Sequence, residues 1–394
     1  MNRILFKLLR AELQDISPES LLSPEETELL KDSENLELLY RLSAAQDLAH
    51  MVGASLFRMK IPRDTDAAKK FRFSCISAVQ RYENISRELE SLRGFFEEIG
   101  VNYIPLKGTV LRQFYPRPEQ RTSCDIDLLV SPQDLDRTTA ALEEKLNYRK
   151  MRAGGHDVGL TAPSGVNLEL HFTLIEKNDY PEMAKILETV WDHAHPDPEY
   201  PHLYRMPMAW EYFYHIAHMV KHYLYGGCGI RTFMDLWVYR RRCPGFDRDE
   251  AEKLLEKAGL GLFEENAALL SEVWFSGREA DPERMELLEQ MEQYIFGGGI
   301  YGNTENRVMI SRSEKKNLPY ICSRLILPYS RMKYEYPVLK KHPILLPVCH
   351  VRRWSRLLSG NTSKRICSEL KLSSSVTDER RTEVRQMLDA LGLK

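Results

Sequence analysis

The first hundred residues carry apolar side chains at three- and four-residue spacing, which is the pattern of amphipathic helices. The pattern predicts helices over 26–41 and 43–57, separated from their neighbours by prolines, and a long helix over 76–99. Gly100 follows the long helix directly and is expected to end it. We therefore expect residues 1–75 to form an N-terminal helical region.

A different pattern follows, in which short apolar runs alternate with turn residues. Runs of this length are typical of strands, with helical spacing only between some of them. The pattern predicts strands over 101–106, 125–130, 148–151, 158–161 and 166–172, and helices over 109–114 and 132–146. Residues 76–195 are therefore expected to form an α+β core with a small mixed sheet.

Helical spacing returns in the second half of the chain. It predicts helices over 208–224, 232–242, 248–275 and 281–296. Residues 196–300 are therefore expected to form a helical domain. Beyond it, residues 301–394 interleave basic, aromatic and aliphatic side chains with prolines, and we expect a basic helical C-terminal segment there.

The composition is that of an ordinary globular protein, since 43% of the 394 residues are hydrophobic and 28% are charged. This balance argues against wholesale disorder, a collagen-like chain or a multi-span membrane protein. No run approaches 18 apolar residues, and the apolar stretch at the N-terminus is too short for a secretory signal. The seven cysteines are scattered and form no CxxC motif, as expected in a reducing compartment. We therefore expect a cytoplasmic protein without stable membrane insertion.

The formal net charge of -2 hides an asymmetry along the chain. Residues 301–394 contain 19 Lys and Arg against 8 Asp and Glu, a balance of +11, which leaves -13 for the rest. Aromatic side chains lie among these basic residues, a combination that RNA-binding proteins use. The segment is therefore expected either to meet an anionic surface such as RNA, or to pack as a helical cap whose charges face the acidic body and solvent.

The strongest candidate chemistry is a pair of aspartates, Asp125 and Asp127, in the predicted strand 125–130. Residues i and i+2 of a strand point to the same face, so the two carboxylates project together. Adjacent carboxylates raise each other's pKa unless a cation lies between them, and Mg²⁺ prefers such oxygen ligands. Glu169 lies in another alternating strand and is expected to add a third carboxylate. The alternative is that the aspartates only cap a strand or pair with Arg121.

A short turn precedes these carboxylates in the sequence. Lys107, Gly108 and Thr109 lie where a predicted strand ends and a helix begins. Backbone N–H groups at such a turn attract phosphate oxygens, the hydroxyl of Thr109 can donate, and Lys107 and Arg121 can neutralise charge. The alternative is that Gly108 serves only as a turn between the strand and the helix.

Three segments together resemble the uncharacterised nucleotidyltransferase family of the DNA polymerase beta-like nucleotidyltransferase superfamily. They are Ile104–Thr109 (IPLKGT), Arg121–Val130 (RTSCDIDLLV) and Leu168–His171 (LELH). A later segment also matches, with His215, His218 and His222 followed by Ile230-Arg231 and Asp235-Leu236. The resemblance covers about residues 80–240 well and the part after 318 more loosely. It implies a polymerase-beta-like core flanked by N- and C-terminal helical regions.

The resemblance also implies a role for each matching residue. Asp125, Asp127 and Glu169 would bind Mg²⁺ or Mn²⁺, and Glu169 would serve as base for the acceptor. Gly108 and Thr109 would hold the nucleotide phosphates. Lys107 and Arg121, from their charge, and His171, from its position after Glu169, complete the expected nucleotide-binding set. The reaction would move a nucleoside monophosphate from an NTP to an acceptor, which the sequence leaves open between a small molecule, a protein and an RNA. The alternatives are a catalytically degenerate module that binds a nucleotide or a partner, and an RNA-binding protein that uses the basic segment.

One face of the predicted helix 208–224 carries a stripe of polar residues, Glu211, His215, His218 and His222. Histidines four residues apart on a helix can bind zinc. A face packed towards the nucleotide or acceptor cleft, and a set of buried structural histidines, are the alternatives. A second motif, the glycine-rich stretch 297–302, formally matches GxGxxG but follows a predicted helix instead of a strand, so we interpret it as a helix stop and loop.

Overall fold

The computed structural model describes residues 1–61, 64–177, 180–298, 326–327, 329, 332–333, 336, 338–358 and 378–393. Just over half of the predicted basic segment 301–394 lies outside the described residues. The glycine-rich stretch 297–302 also lies outside them from residue 299 onward. The described part is α+β, with a five-stranded mixed sheet between N-terminal and C-terminal helices.

Five helices precede the sheet: α1 (Asn2–Gln14), α2 (Pro24–Leu29), α3 (Ser33–Ala45), α4 (Ala49–Arg58) and α5 (Asp66–Ile99). The prediction of one helix over 26–41 is wrong, because Asp32 begins a new helix by accepting a hydrogen bond from the amide of Asn35 at 2.9 Å. The predicted helices 26–41 and 43–57 would meet at residue 42, but α3 continues through this position to Ala45. The long helix α5 starts earlier than predicted, where the hydroxyl of Thr65 caps it, and ends at Gly100 as predicted, with φ 61°.

The sheet has the strand order β1-β2-β5-β4-β3, in which β2 and β5 are parallel and all other neighbours are antiparallel. Its strands are β1 (Tyr103–Pro105), β2 (Asp125–Val130), β3 (Arg149–Ala153), β4 (Asp157–Thr161) and β5 (Asn167–His171). Between them lie the helices α6 (Gly108–Leu111) and α7 (Leu135–Leu146). All five predicted strands are confirmed, with ends that differ by at most two residues.

The two faces of the sheet differ in polarity. One face is apolar and packs on α5 and α7 through a cluster that includes Ile126, Leu128, Leu168, Leu170, Leu92, Phe95, Phe96 and Leu142. In this cluster the ring of Phe96 stacks on Tyr103 with centroids 4.4 Å apart. Since side chains alternate along a strand, Asp125, Asp127, Glu169 and His171 project from the opposite face. The fold therefore places the predicted carboxylates on the face turned away from α5.

A second helical set follows the sheet. It comprises α8 (Pro181–Leu187), α9 (Val190–His193), α10 (Met208–Leu224), α11 (Ile230–Arg242), α12 (Arg248–Lys257), α13 (Gly261–Ser276), α14 (Pro282–Gly298), α15 (Val338–Lys341), α16 (Leu346–Leu358) and α17 (Asp378–Ala390). A two-stranded ribbon, β6 (His195–Pro196) and β7 (Tyr204–Arg205), precedes α10. The prediction of one helix over 248–275 is wrong, because Gly259 adopts φ 70° between α12 and α13.

The N-terminal helices and the later helices share one hydrophobic core. Leu5 of α1, Met51 of α4, Phe233 of α11 and Phe275 of α13 belong to the same buried cluster. The side chain of Gln14 also donates to the carbonyl of Phe275 at 2.5 Å. The divisions at 75, 195 and 300 stay predictions. Within the described ranges, every helix is too short or too polar to cross a bilayer.

Candidate active site

The candidate site is centred on Asp127 and Glu169, which lie side by side in the parallel strands β2 and β5. In this register Asp125 lies opposite Asn167 and Leu129 opposite His171, so all these positions share the polar face of the sheet. Parallel pairing thus brings together two carboxylates that are far apart in the sequence. The prediction that Asp125 and Asp127 share a face with a carboxylate from a neighbouring strand is confirmed.

Lys107 supplies a cation to this pair. Its Nζ lies 2.7 Å from Oδ1 of Asp127, and its backbone has φ 52° and ψ -121°, a conformation that non-glycine residues rarely adopt. Such a conformation costs roughly 1–3 kcal/mol and is held by the surrounding structure. Burial lowers the pKa of Lys107, but the carboxylate of Asp127 outweighs it and holds the pKa above its usual value. The turn therefore directs a permanently charged ammonium at the carboxylates.

His171 contacts the same carboxylate from the other direction. Its Nε2 lies 2.9 Å from Oδ1 of Asp127 and 3.8 Å from Oε2 of Glu169, whereas its buried Nδ1 has no hydrogen-bond partner among the described residues. Burial raises the pKa of Asp127, but Lys107 and His171 outweigh burial and hold that pKa below its usual value. Asp127 is therefore ionised at neutral pH.

Glu169 is less firmly ionised. Burial, and after it the negative charge of Asp127, raises its pKa to about 7. The guanidinium of Arg152, on β3, reaches across β4 to bind Glu169 and also lies 2.7 Å from Oδ2 of Asp157. Glu169 can therefore exist in either protonation state near neutral pH, a property suited to a group that accepts a proton.

Three donors are close enough to share one metal ion. Within the described ranges, ligand atoms of Asp127, Glu169 and His171 all lie within 4.8 Å of one another. Asp125 lies one pleat away on the same face, and burial followed by the charge of Asp127 raises its pKa. Two carboxylates and an imidazole suit a divalent cation, which would relieve the repulsion between the carboxylates.

The predicted phosphate-binding turn lies beside Asp127. Gly108 begins α6 directly after Lys107, and a Cβ added to it would lie 3.2 Å from a terminal nitrogen of Arg121. Arg121 itself donates from Nε to both carboxylate oxygens of Asp235, at 2.7 and 2.9 Å. The hydroxyl of Tyr115 donates to the same carboxylate at 2.6 Å. Arg121 therefore packs against the turn at Gly108, and its buried ion pair with Asp235 holds it in this position.

Helix α10 brings Tyr214 and Lys221 close to groups on the polar face of the sheet. Nε2 atoms of His218 and His222 lie 3.2 Å apart, and Nζ of Lys221 lies 3.2 Å from Nε2 of His156, the residue before β4. His215 differs, because its Nε2 bonds to the carbonyl of Thr232 at 2.9 Å, as expected of a structural histidine. Within the stripe, His215 therefore has a structural hydrogen bond, whereas His218 and His222 contact each other.

Sequence reasoning missed several residues around the site. Arg152 lies in an exposed strand, where a basic residue carries no signal. Tyr214 is 1% exposed, and the charges of Lys107, Asp127 and Glu169 act on its hydroxyl, which has no hydrogen-bond partner among the described residues. Lys221 had a usable signal, since it lies three residues after His218 on the same helix.

Comparison with known proteins agrees with the site. The family model described as uncharacterised nucleotidyltransferase matches residues 32–276, which is more than half of the chain and includes all the carboxylates above. No curated protein and no solved structure matches the chain. The matched range contains the sheet, the turn at Lys107 and helix α10. The chain therefore belongs to the family of uncharacterised nucleotidyltransferases.

Proposed function

We propose that this protein moves a nucleoside monophosphate from an NTP to an acceptor oxygen and releases pyrophosphate. The observation that carries the proposal is the placement of Asp127 beside Glu169, with Lys107 bound to one carboxylate. Carboxylates paired in this way beside a cationic turn are suited to phosphoryl transfer, in which catalysis consists mainly of positioning and charge stabilisation.

The donors fit a divalent cation, Mg²⁺ or Mn²⁺. Asp127 and Glu169 would hold it, with Asp125 one pleat away and His171 holding the carboxylate of Asp127 in place. When bound, such a cation stabilises the negative charge that develops on the transferred phosphoryl group. Two cations are the finer form of the proposal, because Asp125, Asp127 and Glu169 project together from this face.

The protein's own groups do the remaining work. The acceptor oxygen attacks the α-phosphorus, the bond from that phosphorus to the bridging oxygen breaks, and pyrophosphate leaves with the bonding electrons. The proton of an acceptor hydroxyl passes to the carboxylate of Glu169, which projects beside Asp127 from the same face of the sheet. Lys107, Gly108 and Thr109 would contact the nucleotide phosphates, and Arg121 would contribute charge next to Gly108.

The test is a screen of the four NTPs with Mg²⁺ or Mn²⁺, measuring thermal stabilisation and pyrophosphate release. We expect one NTP to stabilise the wild type in a metal-dependent manner, and Asp127→Asn and Glu169→Gln to abolish the effect. Asp136→Asn, an exposed position on α7, is the matched control and should behave as wild type. If Asp127→Asn folds normally and keeps full transferase activity, the proposal is wrong.

A second candidate function is nucleotide binding without turnover. The ion pair between Lys107 and Asp127 favours it, because the ammonium takes up a carboxylate oxygen that a catalytic cation would need. Tight NTP binding without pyrophosphate release, whatever acceptor is supplied, would support this function over the first. Metal-dependent release that Lys107→Met abolishes would argue against it.

A further inference from the structure

A cluster of nitrogen groups lies beside the candidate site, on helix α10 and at the start of β4. We call His156, His218, Lys221 and His222 the histidine-lysine wall; three of its members lie on α10 and one directly precedes β4. Its internal distances are 3.2 Å from Lys221 Nζ to His156 Nε2 and 3.2 Å between the Nε2 atoms of His218 and His222. All four side chains are partly buried.

Lys221 lies near three carboxylates, Glu176, Asp157 and Glu169, but is in direct contact with none of them. Among the described residues, no carboxylate oxygen forms an ion pair with Lys221, whose only hydrogen-bond contact there is an imidazole nitrogen. Burial, and then neighbouring cations, lowers the pKa values of His218 and His222. The nearest acid, Glu176, binds Nδ1 of His156 at 3.1 Å and so orients one member of the wall. A partly buried ammonium without a carboxylate in direct contact is suited to a bound anion.

The strands that carry the carboxylates separate the His156 end of the wall from the predicted nucleotide turn. Across the sheet, Lys107 follows β1 on one side of Asp127 and Glu169, whereas His156 precedes β4 on the other side. In an in-line displacement the leaving pyrophosphate and the attacking oxygen lie on opposite sides of the α-phosphorus. If the turn at Lys107 holds the NTP phosphates, the end of the wall formed by His156 and Lys221 lies where the acceptor must enter.

We propose that the histidine-lysine wall binds a phosphate group of the acceptor, so that the acceptor is a small phosphate monoester. The inference rests on the proposed nucleotidyl transfer and names the substrate class of the same site. Lys221 and the remaining N–H of the His218–His222 pair donate to the phosphate oxygens and hold the acceptor's attacking oxygen towards Glu169, while His156, bound to Glu176, orients Lys221. No bond forms to the wall, which is a positioning and specificity element.

The test is a calorimetric titration of the full-length protein with inorganic phosphate at pH 7, with and without saturating Mg²⁺ and a non-hydrolysable α,β-methylene NTP. We expect the wild type to bind phosphate in both conditions. Lys221→Ala should weaken phosphate binding by about tenfold or more, the effect of losing one charge-assisted hydrogen bond. Its affinity for the NTP analogue should stay unchanged. Lys145→Ala, an exposed lysine on α7 paired with Glu98, is the matched control.

Each remaining outcome is decisive. Absence of phosphate binding in the wild type, or equal binding by wild type and Lys221→Ala, would overturn the inference. His222→Asn serves as a second variant with the same expectation if Lys221→Ala fails to fold. Displacement of phosphate by the NTP analogue would also overturn it, because the wall would then serve the triphosphate. Failure of the NTP analogue to bind at all would refute the proposed function, whereas the titration without nucleotide would still decide whether the wall binds phosphate.

Discussion

Arg152 reaches Glu169 by crossing over Gly159, whose lack of a side chain leaves room for the guanidinium. Gly159 is paired with Arg152 on one side and with Glu169 on the other. A Cβ at residue 159 would lie 2.9 Å from Cγ and 3.1 Å from Nε of Arg152, closer than such atoms normally approach. Gly159 therefore leaves the space that the guanidinium of Arg152 needs to reach Glu169, the candidate base.

This relationship predicts that the effect of Gly159→Ala on stability depends on Arg152. In the wild type the substitution should lower the free energy of unfolding by about 1 kcal/mol, because the arginine stem is displaced. In the Arg152→Ala background the overlap is gone. The same substitution should then be neutral or raise the free energy of unfolding by roughly 0.5 kcal/mol, since alanine is preferred to glycine inside a strand.

The measurement is a double-mutant cycle by denaturant unfolding. The cycle isolates the coupling between residues 152 and 159 from the intrinsic preference for alanine. Equal effects of Gly159→Ala in both backgrounds would mean that Arg152 does not occupy the space above the glycine.

A second prediction concerns the buried ion pair behind the turn. Asp235 is 1% exposed and accepts hydrogen bonds from Arg121 and Tyr115. Asp235→Ala leaves the guanidinium buried without its counterion and should lower the free energy of unfolding by about 3–5 kcal/mol. Tyr115→Phe removes one neutral donor to the same carboxylate and should cost about 1 kcal/mol.

The comparison of these two variants by chemical denaturation separates charge from hydrogen bonding. Similar losses in both would indicate that Arg121 keeps a counterion or solvent when Asp235 is absent. Asp192→Ala, on α9 outside this network, should change the stability by less than about 0.5 kcal/mol.

The third prediction uses two glycines at the end of α5. Gly94 is an exposed interior position where an added Cβ meets nothing within 4 Å, so Gly94→Ala should raise the free energy of unfolding by roughly 0.5–1 kcal/mol. Gly100 has φ 61°, a conformation in which alanine is strained. Gly100→Ala should therefore lower the free energy of unfolding by about 1 kcal/mol. Thermal unfolding of both variants checks the opposite signs; changes of the same sign would contradict the backbone assigned to this helix end.

The sequence contained the information for elements whose signals are local. β2 matches its predicted range because the alternation of Asp125, Ile126 and Asp127 leads into the apolar run Leu128–Val130. Helix α10 matches because Pro207 and the glycines at 226–227 bound it. The break between α2 and α3 was missed because apolar spacing continues through it, while a single hydrogen bond at Asp32 decides the structure. Element type was therefore predictable, and interruptions that depend on one cap were not.

The sequence predicted which residue types form the site, but predicted less well which of these residues contact one another. The spacing of Asp125 and Asp127 was sufficient to place them on one face. The register that puts Glu169 beside Asp127, and the approach of Lys221 to His156, depend on pairing between distant segments. No periodicity within one segment encodes contacts between distant segments, so these two contacts could not be predicted.

The last prediction concerns the buried carboxyl of Glu211 in the first turn of α10. The side chain is 2% exposed, and its Oε2 has no hydrogen-bond partner among the described residues. Burial raises its pKa from 4.5 to about 8, although a hydrogen bond from Tyr239 and the charge of Arg205 act in the opposite direction. Between pH 4.5 and 8 the unfolded chain therefore releases a proton that the folded chain retains.

Because the folded state holds more protons in this window, Glu211 makes the free energy of unfolding fall as the pH rises from about 4.5 to 8. Glu211→Gln cannot ionise and should escape this loss. The stability of the variant relative to wild type should therefore increase with pH, by up to a few kcal/mol at about 1.4 kcal/mol per pKa unit. Urea unfolding at pH 5, 6, 7 and 8 measures the difference, with the exposed Glu252→Gln as control. A difference that stays constant over this range would mean that Glu211 ionises in the folded protein as it does in the unfolded chain.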